Sequence, residues 1–178
     1  MEERRGKSVR LEDVAKAAGI SRQALYLYFG TRTELLVATV RHADRTRGLR
    51  ARLQPFQAAK TGLEALETFV EFWGNYLPDM YGLARALMDA RATDTAAAAA
   101  WDDRMAAVRQ ACQIIIDKLA DDGRLATDWA IDPAVDLLWS LLSVSVWEGL
   151  TITCGWSTEQ YITQMRSTIR HTFVLELA

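Results

Sequence analysis

The chain has 178 residues, half of them hydrophobic and a quarter charged, which is ordinary for a globular protein long enough to bury a real core. The net charge of −2 hides an asymmetry: residues 1–52 carry 12 Lys/Arg against 6 Asp/Glu, and residues 53–178 carry 9 against 17. Two cysteines are too few for a disulfide scaffold, the charged start Glu2 to Arg10 is no secretory leader, and no uninterrupted apolar run of about 18 residues suggests a membrane span.

Residues 1–8, MEERRGKS, are polar and read as a frayed lead-in. Leu11, Val14, Ala15 and Ala18 then follow the i, i+3, i+4, i+7 spacing of an amphipathic helix. Gly19 ends it, since glycine alone enters the left-handed C-cap conformation without steric cost. Ser21 is a good N-cap for a second short helix, Arg22 to Phe29, carrying Ala24, Leu25 and Phe29. Two short helices joined by a glycine turn make a helix-turn-helix, whose second helix enters the major groove of DNA. After Gly30, Thr31-Arg-Thr-Glu34 is a capping box for a third helix.

The run Asp13-Val14-Ala15, Ala18-Gly19-Ile20-Ser21, Leu25-Tyr26, Tyr28-Phe29, Thr31-Arg32 and Leu35 resembles, in one unbroken register, the signature of the TetR/AcrR family of transcriptional regulators. The resemblance implies an all-α protein with a DNA-binding head over 1–52 and an effector-binding, dimerising body over 53–178. It also implies a further helix ahead of the pair. MEERRG matches only the last turn of such a helix, so the head is expected to have that first helix missing or truncated. A double-stranded DNA operator, a small apolar effector and a second copy of the chain are the implied partners, in the cytoplasm.

Thr31 to about Arg52 reads as one helix interrupted by Gly48, with Arg41, Arg45, Arg47, Arg50 and Arg52 on a polar half. Gln54-Pro55 marks a boundary. Thr61-Gly-Leu-Glu64 caps a helix whose apolar stripe is Leu63, Leu66, Val70, Trp73 and Leu77, widened by Phe69, Phe72 and Tyr76. Its acidic face of Glu64, Glu67 and Glu71 reads as solvated. Pro78-Asp79 is expected to break this helix, with a shorter one following from Met80 to Ala90.

Ala96 to Asp122 carries a single apolar seam of Trp101, Met105, Val108, Cys112, Ile115 and Leu119. Asp132-Pro133 then reads as an N-cap and first residue of the next helix. That helix, Ala134 to Cys154, is apolar nearly all round and must be covered on two sides. The last helix, Thr158 to Leu177, is capped by Ser157. By resemblance these two helices build the dimer interface, a self-complementary patch of about 2,000 Å² or more if the dimer is obligate.

Catalytic chemistry is not visible. His42 and His171 lie apart from each other and from the cysteines, so no zinc site of usual spacing can form. There is no GxSxG, phosphate loop or HExxH, and no enzyme activity, metal or cofactor is expected. Both cysteines sit in apolar patterns and read as buried thiols. Glu148 is either paired with Arg166 or Arg170 or reaches water at an edge.

DNA chemistry is visible. Ser21 and the free N–H groups behind it face phosphate. Arg22 suits guanine and Gln23 suits adenine, while Ala24 can meet only a thymine methyl. By resemblance, Tyr26 and Arg32 hold phosphates, and Leu27 and Tyr28 make the base-reading surface more apolar. Arg10, standing where the family often carries Ser or Thr ahead of the pair, joins them. Phe72, Trp73, Tyr76, Trp101, Met105, Trp139 and Trp147 are either core or effector-pocket lining, and the resemblance favours a pocket. The competing reading is a helical ligand-binding protein or enzyme with a vestigial DNA-binding head.

Overall fold

The computed structural model describes Gly19 and residues 21–175, without the side chains of Arg22, Leu25 and Tyr26. The expected helix over 11–18 lies outside the described residues, whereas the last helix, expected to reach Leu177, stops at Phe173 with Val174 extended. The rest is helical: α1 (Arg22–Tyr28), α2 (Arg32–Thr46), α3 (Leu49–Arg52), α4 (Gln54–Ala58), α5 (Gly62–Ala90), α6 (Thr95–Asp121), α7 (Ile131–Leu141), α8 (Val144–Glu148), a π-helical turn at Gly149–Thr153, and α9 (Thr158–Phe173). The all-α class is therefore met; the single β-type pairing is an isolated bridge between Leu125 and Val174.

The chain forms two compact units, each discontinuous in sequence. One comprises residues 1–47 and 80–103, the other 48–79 and 104–178. In the first, Leu35, Leu36, Val40 and Ala43 of α2 are buried, as are Met80, Leu83 and Leu87 of α5. In the second, the seam of α6 is confirmed where it matters most: Cys112, Ile115, Ile116 and Leu119 are fully buried.

Caps explain most helix starts. Ser21 Oγ accepts from Ala24 N at 3.0 Å. Thr31 accepts from Glu34 N at 3.1 Å, while the Glu34 carboxylate reaches back to Gly30 N at 2.8 Å. Thr61 and Glu64 form the second box in the same way, and Ser157 caps α9 through Gln160 N. Each such cap stabilises its helix by about 1 kcal/mol.

Four other boundaries differ from the sequence reading. Gly48 does not merely weaken a long helix: at φ +67° it ends α2, and α3 starts afresh behind it. The expected break at Pro78 does not occur; α5 runs through it for 29 residues. Proline removes the amide that would bond the Gly74 carbonyl, and its ring crowds that carbonyl. The next carbonyl, that of Asn75, accepts from Arg52 Nη2 at 2.7 Å, so the loosened turn has an outside donor. The apolar stretch 134–154 is not one helix but three pieces, because Ser143 turns extended and caps α8 through Val146 N. The helix before it starts at Ile131 behind Ala130, two residues earlier than the Asp132 cap expected.

Residues 131–153 are long and apolar enough, by length and composition alone, to cross a membrane. The stretch breaks at Ser143, and its residues Ala134, Val135, Leu138, Leu142, Val144 and Trp147 are buried within the protein. Of the cysteines, Cys112 is buried, and burial pushes its thiol up to about 12. Cys154, expected to be buried, is exposed, because it follows the π turn rather than a helix interior.

Helices α5 and α9 run antiparallel and touch. Arg166 pairs with Glu71 at 3.0 Å and Arg170 with Glu67 at 3.8 Å, so two carboxylates read as solvated are engaged. Further along, a side chain on Gly74 would strike Ile162 and come within 3.3 Å of the Tyr161 ring. The end of α9 is clasped to the loop after α6: Ala126 N donates to Phe173 O at 2.8 Å, Leu175 N to Arg124 O at 2.7 Å, and Trp129 Nε1 to Thr172 O at 2.8 Å.

Gly74→Ala tests the close approach. Alanine alone favours the helix by about 1 kcal/mol, but the overpacking against Ile162 costs about 1–3 kcal/mol. A net loss of stability in denaturant unfolding is expected.

Candidate nucleic-acid interface and helical body

The short helix α1 presents its C-terminal half outward. Leu27 is 84% exposed and Tyr28 80%, the largest exposures among the described large hydrophobic residues. Gln23 is also exposed, Ala24 is half-buried, and Arg32 is exposed at the first residue of α2. Ser21, exposed, is occupied in capping α1. Arg10 and the side chains of Arg22 and Tyr26 lie outside the described residues. Exposed Gln23 and Leu27 are four residues apart and share one face of α1, with exposed Tyr28 next to it.

Part of the basic stripe is turned to internal use. Arg47 Nη1 lies 3.3 Å from Met80 Sδ. Arg52 pairs with Asp79 at 2.7 Å, donates to Asn75 O, and lies 5.3 Å over the Tyr76 ring. Arg41, Arg45 and Arg50 remain exposed.

Thr33 is the buried polar residue of α2, and its hydroxyl donates to Asp94 Oδ2 at 2.5 Å. The same carboxylate caps α6 through Ala96 N and Ala97 N. One acidic group therefore joins the helix behind α1 to the start of α6, a link the sequence reading missed because 61 residues separate the partners. The Thr33 hydroxyl bond, then the Ala97 amide, holds the Asp94 carboxyl below its ordinary value near 3.8.

The aromatic residues expected to line a pocket fall in both units. Trp101 is in the first, buried, with the Arg91 guanidinium 5.4 Å from its ring. The second unit holds the others. Phe72 and Tyr76 are stacked at 5.1 Å and Phe69 and Trp73 at 6.2 Å, all buried. Trp139 Nε1 donates to Met105 O at 3.2 Å, both residues being half-buried, and Trp147 is buried. A separate surface cleft of about 310 Å³ lies against Glu67, Thr163, Arg166, Ser167, Arg170 and His171, none of them among the expected lining. Arg166 and Arg170 pair with Glu71 and Glu67, and Glu148 is half-buried.

The buried polar atoms of this unit without a hydrogen-bond partner among the described residues include Trp73 Nε1 and Tyr161 OH. Tyr161 is fully buried, and burial pushes its phenol upward, so it stays neutral.

A short, capped helix with an exposed face on a basic segment is the arrangement a helix-turn-helix needs to enter a groove. Residues 3–39 match the family model of bacterial regulatory proteins, tetR family. The fold over the whole chain agrees. A chain from Saccharomonospora viridis, described as a transcriptional regulator and solved in complex with choline, superposes with a TM-score of 0.80 at 18% identity, covering 94% of this chain and 88% of that one. A TetR transcription regulator from Haloarcula marismortui gives 0.70 at 16% identity, with 94% and 88% covered. The ketosteroid transcriptional regulator of Mycobacterium tuberculosis gives 0.67 at 17%, with 94% and 86% covered. No curated protein matches the sequence itself. The head thus matches the tetR family model, and over its length the chain has the fold of TetR-family regulators.

The Asp94 link carries a pH dependence. A carboxyl held below its unfolded value stabilises the fold above about pH 4, and that contribution is lost as pH falls through the lowered folded value. Thr33→Val should narrow the loss of stability between about pH 5 and about pH 3, read by denaturant unfolding at both.

Proposed function

We propose that this chain is a transcriptional repressor that binds a near-palindromic DNA operator as a homodimer and is released by a small, largely apolar effector. The observation that carries this reading is the tetR-family match over residues 3–39. The functional division is a head over 1–52 and a body over 53–178, working in the cytoplasm. Arg22 and Gln23 read base edges, Ala24, Leu27 and Tyr28 add an apolar base-reading surface, and Ser21, Tyr26, Arg32 and Arg10 hold the backbone.

Effector binding among Phe72, Trp73, Tyr76, Met105, Trp139 and Trp147 reaches the head through two contacts. Movement of Tyr76 shifts Arg52, whose guanidinium lies over that ring at the end of α3. Movement of α6, which also carries Trp101, shifts Asp94 and with it Thr33. Two heads on one frame meet successive major grooves about 34 Å apart, so a few ångströms of displacement cost one half-site. The choline complex of the Saccharomonospora relative supports a small molecule as the signal.

The dimer is proposed through α7–α9. The apolar residues of α9, Tyr161, Met165, Ile169 and Phe173, are spent inside its own unit, and Leu142 is fully buried there as well. Outward apolar surface on this stretch comes instead from Ile131 at 41% and Ile152 at 43% exposure, with half-buried Val146. Ile152→Glu with Val146→Glu should give monomers in sedimentation while helicity is retained; a wild-type monomer at micromolar concentration would remove the dimer.

The gel shift with DNA flanking the chain's own gene tests the whole reading. A sequence-specific shift is expected. Arg22→Ala should lose roughly 1–3 kcal/mol at one base position, whereas Arg32→Ala should weaken all sequences alike and flatten the salt slope by about one unit. Absence of any specific shift would leave a helical ligand-binding protein or enzyme with a vestigial head.

A further inference from the structure

The surface of the second unit carries a cleft that neither the exposed face of α1 nor the buried aromatic residues use. It holds about 310 Å³ between Glu67 of α5 and a row on α9: Thr163, Arg166, Ser167, Arg170 and His171. Thr163, Ser167 and His171 recur every four residues, with Arg166 and Arg170 beside them, so the row is one polar stripe of the helix. No aliphatic residue lines the cleft, and an apolar molecule finds little there to cover.

Donors dominate the lining. A guanidinium has five N–H donors and no acceptor. Arg166, its side chain 34% exposed, gives one of them to Glu71 at 3.0 Å, and that carboxylate is outside the lining. Arg170 lies 3.8 Å from Glu67, close enough for an ion pair and too far for a hydrogen bond. Exposed Thr163 and Ser167 add hydroxyls. Two acceptors stand against these donors. One is the Glu67 carboxylate. The other is His171: its Nδ1 lies 2.7 Å from Ser167 O, which can only accept, so the neutral ring keeps Nε2 as an acceptor.

Guanidinium groups suit phosphate, which they meet with forked, charge-assisted hydrogen bonds. A bare phosphate would gain those bonds and be repelled by Glu67. A phosphate that also carries hydroxyl groups turns the same carboxylate, and Nε2 of His171, into partners, because hydroxyls donate to both. We propose that this cleft binds a sugar phosphate: Arg166 and Arg170 take the phosphate, helped by Thr163 and Ser167, while Glu67 and His171 take sugar hydroxyls. The site uses no DNA-reading residue and none of the aromatic residues of the interior, so it stands apart from the repressor reading.

Calorimetry of the full chain at fixed ionic strength tests this with glucose 6-phosphate, inorganic phosphate and glucose. Glucose 6-phosphate should bind with a Kd of about 1 mM or tighter, inorganic phosphate about tenfold more weakly, and glucose not measurably. Arg166→Gln should weaken glucose 6-phosphate about tenfold, and Ser167→Ala several-fold. Glu67→Gln should narrow the gap between the two phosphates, since it removes the repulsion that holds inorganic phosphate back. The ion pairs are surface ones, so the unfolding midpoints of these variants should stay near wild type. No binding of glucose 6-phosphate at about 10 mM, equal binding of the two phosphates by wild type, glucose bound as tightly as its phosphate, or affinities that survive both Arg166→Gln and Ser167→Ala would each overturn the site. A gap unmoved by Glu67→Gln would overturn the assignment of the sugar hydroxyls.

Discussion

Gly74 is the constraint on which the second unit depends. Its missing side chain lets α5 and α9 approach until Ile162 and the Tyr161 ring fill the space a Cβ would take. Everything else along the pair follows from that distance. The Glu71–Arg166 and Glu67–Arg170 pairs can bridge. Surface ion pairs of this exposure contribute little by themselves. They set the register, and the packing at Gly74 supplies the contact.

A second constraint is continuity. Each of α5 and α6 begins in one compact unit and ends in the other. Proline at 78 would ordinarily cut the first of these near the division. Arg52 meets Asn75 O, Asp79 and Tyr76 at that turn, so a side chain from the connector occupies the weakest turn of the helix. At the start of α6 the Asp94 carboxylate does two jobs, capping two amides and receiving Thr33. Each set of contacts stays within one unit: Arg52 meets a backbone carbonyl, a carboxylate and a ring, and Asp94 meets two amides and a hydroxyl.

Local signals in the sequence were reliable where one residue decides the outcome. Ser21, Thr31, Thr61 and Ser157 cap the helices they were expected to cap, and the seam of α6 is buried as its spacing requires. Pro78 and Ser143 went the other way, since a proline is tolerated when a distant arginine supplies a donor, and a serine stops an apolar helix only where its backbone turns extended. Glu67, Glu71 and Asp94 read as solvated or unremarkable because their partners lie far along the chain. The exposed surface of α1 was legible from the family-like motif, whereas the unmet atoms of Trp73 and Tyr161 were not, since periodicity reports burial and says nothing of hydrogen bonds.

The clasp between the end of α9 and the loop after α6 makes a closed circuit of the last third of the chain. Residues 124 to 175 leave and return to one place, fastened by Ala126 to Phe173, Leu175 to Arg124 and Trp129 to Thr172. A ring fastened at its base opens as a whole or not at all, the behaviour of a cooperative sub-global unit. Helices α7 to α9 would then exchange their amide protons in concert, and strand-like pairing at Val174 would act as the latch of that ring rather than as the frayed end of a helix.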